Sequence, residues 1–255
     1  MRPAAALAAC CLLAACATAG GSALPPTPDG YLADEAITGV AGRLQIVIPG
    51  GVDTDAVKPG TDRWWLAISH AELRPPEAAQ HFDCALGTRL AAKPRPALDR
   101  LMGRLLADSE ALTRAAAARR GPSPRPAARD PELQPCQRTT PAMRDSPSWP
   151  AGGAVAGAVY GEAFAALAPD RGEAVRRIGR EIGLSRMICR MNDPEDVSSG
   201  EAGGRVLFDL IAASDDFAAD LEAARIEVAA ARAEGLTNPS CAAERRALGP
   251  RPDAG

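Results

Sequence analysis

Cysteines are the residues of this sequence whose chemistry depends most clearly on spacing. Three of the seven lie in the N-terminal apolar segment, which leaves an even set of four further along the chain: Cys84, Cys136, Cys189 and Cys241. Their spacings match no Cys-x-x-Cys metal site, whereas an even set in an exported protein is typical of disulfides. The sequence therefore predicts two disulfide bonds and no metal site. It leaves three pairings open, with free buried thiols as the alternative.

The first fifteen residues have the pattern of an export signal, with Arg2 followed by an apolar run of Ala, Leu and Cys. The run ends in Leu13-Ala14-Ala15-Cys16, which resembles the lipobox cleaved by bacterial lipoprotein peptidase. We therefore expect Cys16 to be the acylated N-terminus of a periplasm-facing envelope protein that touches the membrane only through its lipid. If the lipobox is not used, cleavage near Ala15 or Gly20 would give a secreted or periplasmic protein.

The elements that must position any site are predicted to be helices. Residues 16–55 are rich in Gly, Pro, Ala and Asp and are interpreted as a lipidated tether and extended arm. Residues 56–244 show helical spacing of apolar residues and are assigned to one compact all-α bundle of about seven helices. Residues 245–255 are predicted to be a disordered tail.

The clearest helix spans Pro96 to about Arg120, where leucines recur at intervals of three and four residues before Gly121-Pro122. Two helices are expected between Thr61 and Leu90. A loop from Gly121 to Pro150 is long enough to suggest a functional role. Further helices are predicted at 152–167, 171–190, 194–213 and 215–234.

Charge argues against nucleic acid as a partner, and hydropathy argues against a membrane-spanning segment after the signal. Removing residues 1–15 takes away Arg2 alone, so the formal net charge changes from −3 to −4. The chain has no basic block of the kind that binds nucleic acid, so DNA and RNA are excluded as expected partners. No later stretch has the roughly 18 consecutive apolar residues of a membrane span.

Three stretches resemble, in order, the motifs of the bacterial class A acid phosphatases, within the type 2 phosphatidic acid phosphatase and vanadium haloperoxidase superfamily. The family pattern is Lys-x6-Arg-Pro, then Pro-Ser-Gly-His, then Ser-Arg-x5-His-x3-Asp. Here Arg125-Pro126, Pro150 with Gly152, and Ser185-Arg186 with Asp196 match it. The resemblance covers about residues 60–235 and implies a helical phosphatase domain.

Four motif positions depart from the family pattern. Ala118 stands at the lysine position, with Arg119 one residue later, and Ala151 replaces the serine of the second motif. Gly153 replaces the histidine that would protonate the leaving group. Asn192 replaces the histidine that would attack phosphorus.

These departures remove the chemistry that the resemblance implies. A nucleophile needs an available lone pair, and an amide nitrogen such as that of Asn192 has none, while Gly153 has no side chain to act as a general acid. Losing a nucleophile from a cooperating set costs on the order of a millionfold in rate. We therefore predict a catalytically inactive protein that needs no cofactor.

What the resemblance leaves intact is the anion-holding half of the site. It consists of Arg125, Arg186 and the backbone N–H groups of Gly152 and Gly153 at a helix start, with Asp196 behind them. The first hypothesis is a pseudophosphatase that binds phosphate or another anionic small molecule. The alternative is that the arginines are structural ion-pair partners of Asp196 or Glu195.

Two further functions remain possible from the sequence: an active acid phosphatase with a relocated site, or a structural envelope lipoprotein. The chain has only two histidines, and we expect His70 at the surface and His81 partly buried. Trp64-Trp65 is predicted to pack in the core, with an aromatic stacking platform as the alternative.

Overall fold

A computed structural model describes residues 29–47, 54, 56–130, 132–136 and 138–249. Within these ranges the chain is all-α, as predicted, and contains no β-strand. Cys16 and the predicted signal peptide lie outside the described residues. The described part of the chain forms eleven α-helices: α1 (Asp34–Arg43), α2 (Asp62–Ser69), α3 (Asp83–Leu86), α4 (Pro96–Arg120), α5 (Pro126–Arg129), α6 (Pro141–Asp145), α7 (Gly152–Leu167), α8 (Gly172–Ile188), α9 (Pro194–Ile211), α10 (Asp215–Ala233) and α11 (Cys241–Leu248). It also forms three 3-10 helices: Glu77–Phe82, Leu90–Ala92 and Pro169–Arg171.

Helix α7 lies at the centre of the fold, and α4, α8, α9 and α10 pack around it. Glycines allow its closest contacts. A Cβ added to Gly157 would lie 2.4 Å from the carbonyl oxygen of Gly179 in α8, and a Cβ on Gly179 would lie 2.3 Å from that of Gly157. On the α9 side, a Cβ on Gly200 would lie 2.6 Å from the carbonyl oxygen of Ala151. These contacts hold the first half of α7 against the middle of α8 and the first half of α9.

Helix α4 has the span predicted for it. Its apolar side chains at intervals of three and four residues are buried, among them Leu98, Leu101, Leu105 and Leu112. A proline at its first turn and Gly121, whose φ of 86° lies in the left-handed region, mark its two ends. The amphipathic pattern therefore predicted both the element and its buried face.

The predicted number of about seven helices is too low, and one reason lies in the arm. Residues 34–43 form α1 and not an extended segment, because Ile37, Val40 and Ala41 make an apolar face that is buried against α4. The backbone N–H of Tyr31 donates to Asp108 Oδ2 of α4 at 2.8 Å. Part of the predicted tether thus belongs to the folded domain.

The predicted disordered tail is also wrong in part, because residues 245–248 belong to α11. The disulfide Cys84–Cys241 attaches the start of this helix to α3. Arg246 pairs with Asp62 of α2 at 2.6 Å, and Arg177 donates to the carbonyl oxygen of Leu248 at 2.5 Å. The disulfide and the two polar contacts stabilise a segment whose composition alone is typical of a disordered terminus.

Candidate anion-binding site

The three motif segments meet at one end of the bundle, where α8 ends and α7 and α9 begin. The N–H of Ala151 donates to the carbonyl oxygen of Asp196 at 3.0 Å, which joins the second motif to the third. Two further backbone bonds attach the first motif: Ala127 N–H to Arg190 O at 3.1 Å, and Ser148 N–H to Ser123 O at 2.7 Å. Residues far apart in sequence are therefore neighbours here.

Arg186, in the last turn of α8, lies across the start of α7. A Cβ added to Gly153 would be only 2.7 Å from Arg186 Cδ and 3.1 Å from its Cγ. The side chain of Arg186 therefore occupies the space beside the backbone at position 153. The arginine and the glycine fit each other, and a larger residue at 153 would displace the arginine.

The Arg186 guanidinium has few protein partners. Its Nε donates to Asn192 Oδ1 at 3.3 Å, and it makes no other hydrogen bond and no ion pair within the described part of the chain. Burial, together with the neighbouring charge of Arg125, lowers its pKa to about 10. The group is still a cation at neutral pH, so it is a partly buried charge without a carboxylate partner, which is an unfavourable arrangement.

Helix α7 begins with free donors next to this arginine. No side chain caps the helix, and the first amides that bond back to Ala151 are those of Ala154 and Val155. The N–H groups of Gly152 and Gly153 donate to no group among the described residues. Unpaired amides at the positive end of a 16-residue helix are suited to an anion.

Asn192 and Asp196 form a buried network with Ser148. Asn192 Nδ2 donates to the Ser148 carbonyl oxygen at 2.6 Å, and the Ser148 hydroxyl donates to Asp196 Oδ2 at 2.5 Å. The same carboxylate accepts from the N–H of Asp193, the N-cap of α9, at 2.9 Å. Burial raises the pKa of Asp196. Its hydrogen bonds therefore go to the loop and the helix cap, and the structure does not bear out an ion pair between Asp196 and Arg186.

Arg125 has a different environment from Arg186, although the resemblance assigns both to phosphate. Its guanidinium donates to three carbonyl oxygens, those of Met191 at 2.8 Å, Met143 at 3.0 Å and Pro147 at 3.1 Å. Most of its donors are therefore used by the protein itself. Through these hydrogen bonds Arg125 links the 121–150 loop to the turn that carries Asn192. It also places a second positive charge close to Arg186.

The remaining motif positions add no cation to the cluster. Ala118 is exposed on α4, and the guanidinium of Arg119 lies 3.7 Å from the point where Gly42 of α1 would carry a Cβ. Arg120 stacks over the Trp149 ring at 4.8 Å. The lysine of the family pattern therefore has no replacement among these three residues.

Both disulfides predicted from the cysteine count form, and the structure selects the pairing. Cys136–Cys189 joins the 121–150 loop to the end of α8, three residues after Arg186, and Cys84–Cys241 joins α3 to α11. The first of these bonds reinforces the segment that holds Arg125 and Asn192.

His70 was expected at the surface, and the structure shows otherwise: the residue is 1% exposed, because α2 packs it against α8. Its Nδ1 lies 2.9 Å from the hydroxyl of Ser185, the serine that precedes Arg186. Burial, reinforced by His81 and Arg63, holds the pKa of His70 well below its usual range. Apolar periodicity could not predict this contact, since His70 follows the last residue of a short helix. His81 is partly buried, as expected.

No protein-family model matches this chain, and no curated protein is significantly similar to it. Among the described residues, no helix is both long and apolar enough to cross a membrane. The same residues contain no group of three or more His, Cys, Asp and Glu side chains arranged to hold a metal ion.

Proposed function

We propose that this protein is an exported, acid-phosphatase-like lipoprotein that binds phosphate or another small anion without hydrolysing phosphate esters. The observation that carries the proposal is the environment of Arg186. A partly buried guanidinium without a carboxylate partner belongs to the side chain that packs beside Gly153, at the start of α7, where the amides of Gly152 and Gly153 are unpaired among the described residues. An anion placed there would supply the missing counter-charge and accept from both amides.

The absence of hydrolysis follows from the side chains beside the arginine. Asn192 uses its amide to join Ser148 and Arg186, and it offers no nucleophilic lone pair. Gly153 offers no proton, and Arg186 occupies the adjacent space. His70 is enclosed between α2 and α8 and is 1% exposed, so a substrate would have no access to it in this conformation.

Anion binding should appear as thermal stabilisation. Phosphate, vanadate or sulfate at ten times its dissociation constant would stabilise the folded state by about 1.4 kcal/mol through linkage. For a chain of this size, that corresponds to a rise in melting temperature of roughly 3–5 °C. Arg186→Gln should remove the rise. A flat response to all three anions in the unmodified protein would exclude this function and favour a structural envelope lipoprotein.

A hydrolysis assay tests the other half of the proposal. The purified protein should release phenol from an aryl phosphate no faster than a blank between pH 4 and 8. Activity that survives rigorous purification and disappears in Arg186→Ala would show that a relocated site is active.

A further inference from the structure

One cavity lies away from the motif cluster and is not used by the proposed function. It has a volume of about 570 Å³ and opens between α2, the 3-10 helix Glu77–Phe82 and the start of α11. Small-molecule sites commonly have volumes of about 300–1,000 Å³. The Cys84–Cys241 disulfide and the Arg246–Asp62 ion pair hold α11 in place, so the cavity is part of the folded structure.

Four carboxylates line this cavity: Asp62, Glu72, Glu77 and Glu244. None of the residues lining it is Lys or Arg. Asp62 is already paired with Arg246, whereas the Glu77 carboxylate makes no hydrogen bond or ion pair among the described residues. A cleft lined by charges of one sign concentrates ligands of the opposite sign.

His81 adds no positive charge to the wall. Its Nε2 lies 2.8 Å from the carbonyl oxygen of Glu72 and can donate to it. Burial lowers the pKa of His81, which favours the neutral ring at pH 7. The negative charge of the carboxylates is therefore not cancelled by the histidine between them.

Trp65 provides the aromatic surface of the cavity. It was predicted to pack in the core, but 59% of its surface is exposed, while its neighbour Trp64 packs against the cluster around Cys136 and Cys189. The two indoles meet edge to face at 4.7 Å, which fixes the orientation of Trp65. Among aromatic side chains, tryptophan makes the strongest cation–π contacts with organic cations.

We propose that this cavity binds a small organic ammonium ion. Glu72 and Glu77 neutralise its charge, Glu77 accepts hydrogen bonds from its N–H groups where it has them, and the ring of Trp65 contacts the ammonium group through a cation–π interaction. Polyamines and quaternary ammonium compounds share this chemistry. They differ in N–H donors, so the test includes one of each.

The test is isothermal titration of the full mature protein with spermidine, with choline and with MgCl₂, each at low ionic strength. Spermidine, choline or both should bind saturably at one site, and Mg²⁺ should not. Tighter binding of spermidine would assign the carboxylates as the main contact, and tighter binding of choline would assign Trp65. Absence of saturable binding for both organic cations, or displacement of them by equimolar Mg²⁺, would overturn the proposal.

Matched variants locate the binding to this cavity. Trp65→Ala and Glu77→Gln should each weaken binding by at least about threefold, a size expected for one cation–π or charge contact near the surface. Asp209→Asn removes one exposed carboxylate from α9, away from the cavity, and should leave the dissociation constant unchanged. Equal weakening in all three variants would show a diffuse charge effect and contradict a defined site. Glu77 is exposed, so Glu77→Gln remains informative even if Trp65→Ala perturbs folding.

Discussion

The crossing of α7 and α8 positions the candidate anion site, and replacing Gly179 by Ala tests that crossing. The added Cβ would lie 2.3 Å from the Gly157 carbonyl oxygen, whereas ordinary van der Waals contact begins at 3.4 Å. The helices would have to separate by about 1 Å at this point. The obstructing atom is backbone, so no side-chain rotation can relieve the contact.

The expected cost can be worked from two opposing effects. Overpacking a core costs about 1–3 kcal/mol, and a backbone contact of this kind belongs at the upper end. Alanine is favoured over glycine inside a helix by about 1 kcal/mol. Gly179→Ala should therefore lower the free energy of unfolding by about 2 kcal/mol and the melting temperature by roughly 4–8 °C.

Thermal unfolding followed by circular dichroism measures this effect, with Gly39→Ala as the matched control. In α1 the nearest atom to an added Cβ at Gly39 is Arg43 Nη1 at 3.8 Å, so only the helix preference remains. The control should gain up to about 1 kcal/mol. If Gly179→Ala were as stable as the control, the close approach of the two backbones would be refuted.

The other predictions concern pH, disulfides and the N-terminus. The pKa of His70 is depressed in the folded state, so the unfolded chain binds more protons below pH 6.5. The free energy of unfolding should therefore fall as pH drops from 6.5 to 5, by up to about 1.4 kcal/mol per pH unit for this group. In denaturant titrations His70→Asn should flatten this pH dependence, and an unchanged slope would contradict the assignment. The raised pKa of Asp196 acts in the opposite direction, so it cannot cause the loss. Non-reducing peptide mapping should recover the disulfides Cys84–Cys241 and Cys136–Cys189, and any other pairing would contradict the fold. Removing Cys84–Cys241 should lower the free energy of unfolding by up to about 5 kcal/mol, because this disulfide closes a loop of 157 residues. Mass spectrometry should find the lipid on Cys16, Cys16→Ala should abolish acylation, and a variant that stays acylated would remove that assignment.

Local sequence patterns were sufficient to predict the long helices but not the short ones. The leucine spacing of α4 and the start of α9 at residue 194 could be predicted from the sequence because each signal lies within one element. Helix α11 could not, because its order depends on Cys84, 157 residues away. The pairing of the cysteines was undetermined for the same reason.

The sequence motifs predicted which residues would be neighbours in the candidate site, but not how these residues are hydrogen-bonded. Motif order suggested that Arg125 and Arg186 would lie near the same turn, and both contact the Met191–Asn192 segment. The motifs assign the same role to both arginines, but their hydrogen bonds differ. The guanidinium of Arg125 donates to three carbonyl oxygens, whereas that of Arg186 makes one hydrogen bond among the described residues. That difference depends on how the 121–150 loop folds back, which no local pattern encodes.

The proposed function requires Arg186 to be the anion-binding residue, and isothermal titration with inorganic phosphate tests this directly. Three proteins are compared: the unmodified protein, Arg186→Gln and Arg180→Gln. Arg180 lies on the same helix but pairs with Glu173 at 2.9 Å, so its variant removes the same charge without touching the cluster. We predict saturable binding of one phosphate to the unmodified protein and to Arg180→Gln, and none to Arg186→Gln. Equal phosphate binding by all three, or by none, would contradict the assignment of Arg186 as the anion-binding residue.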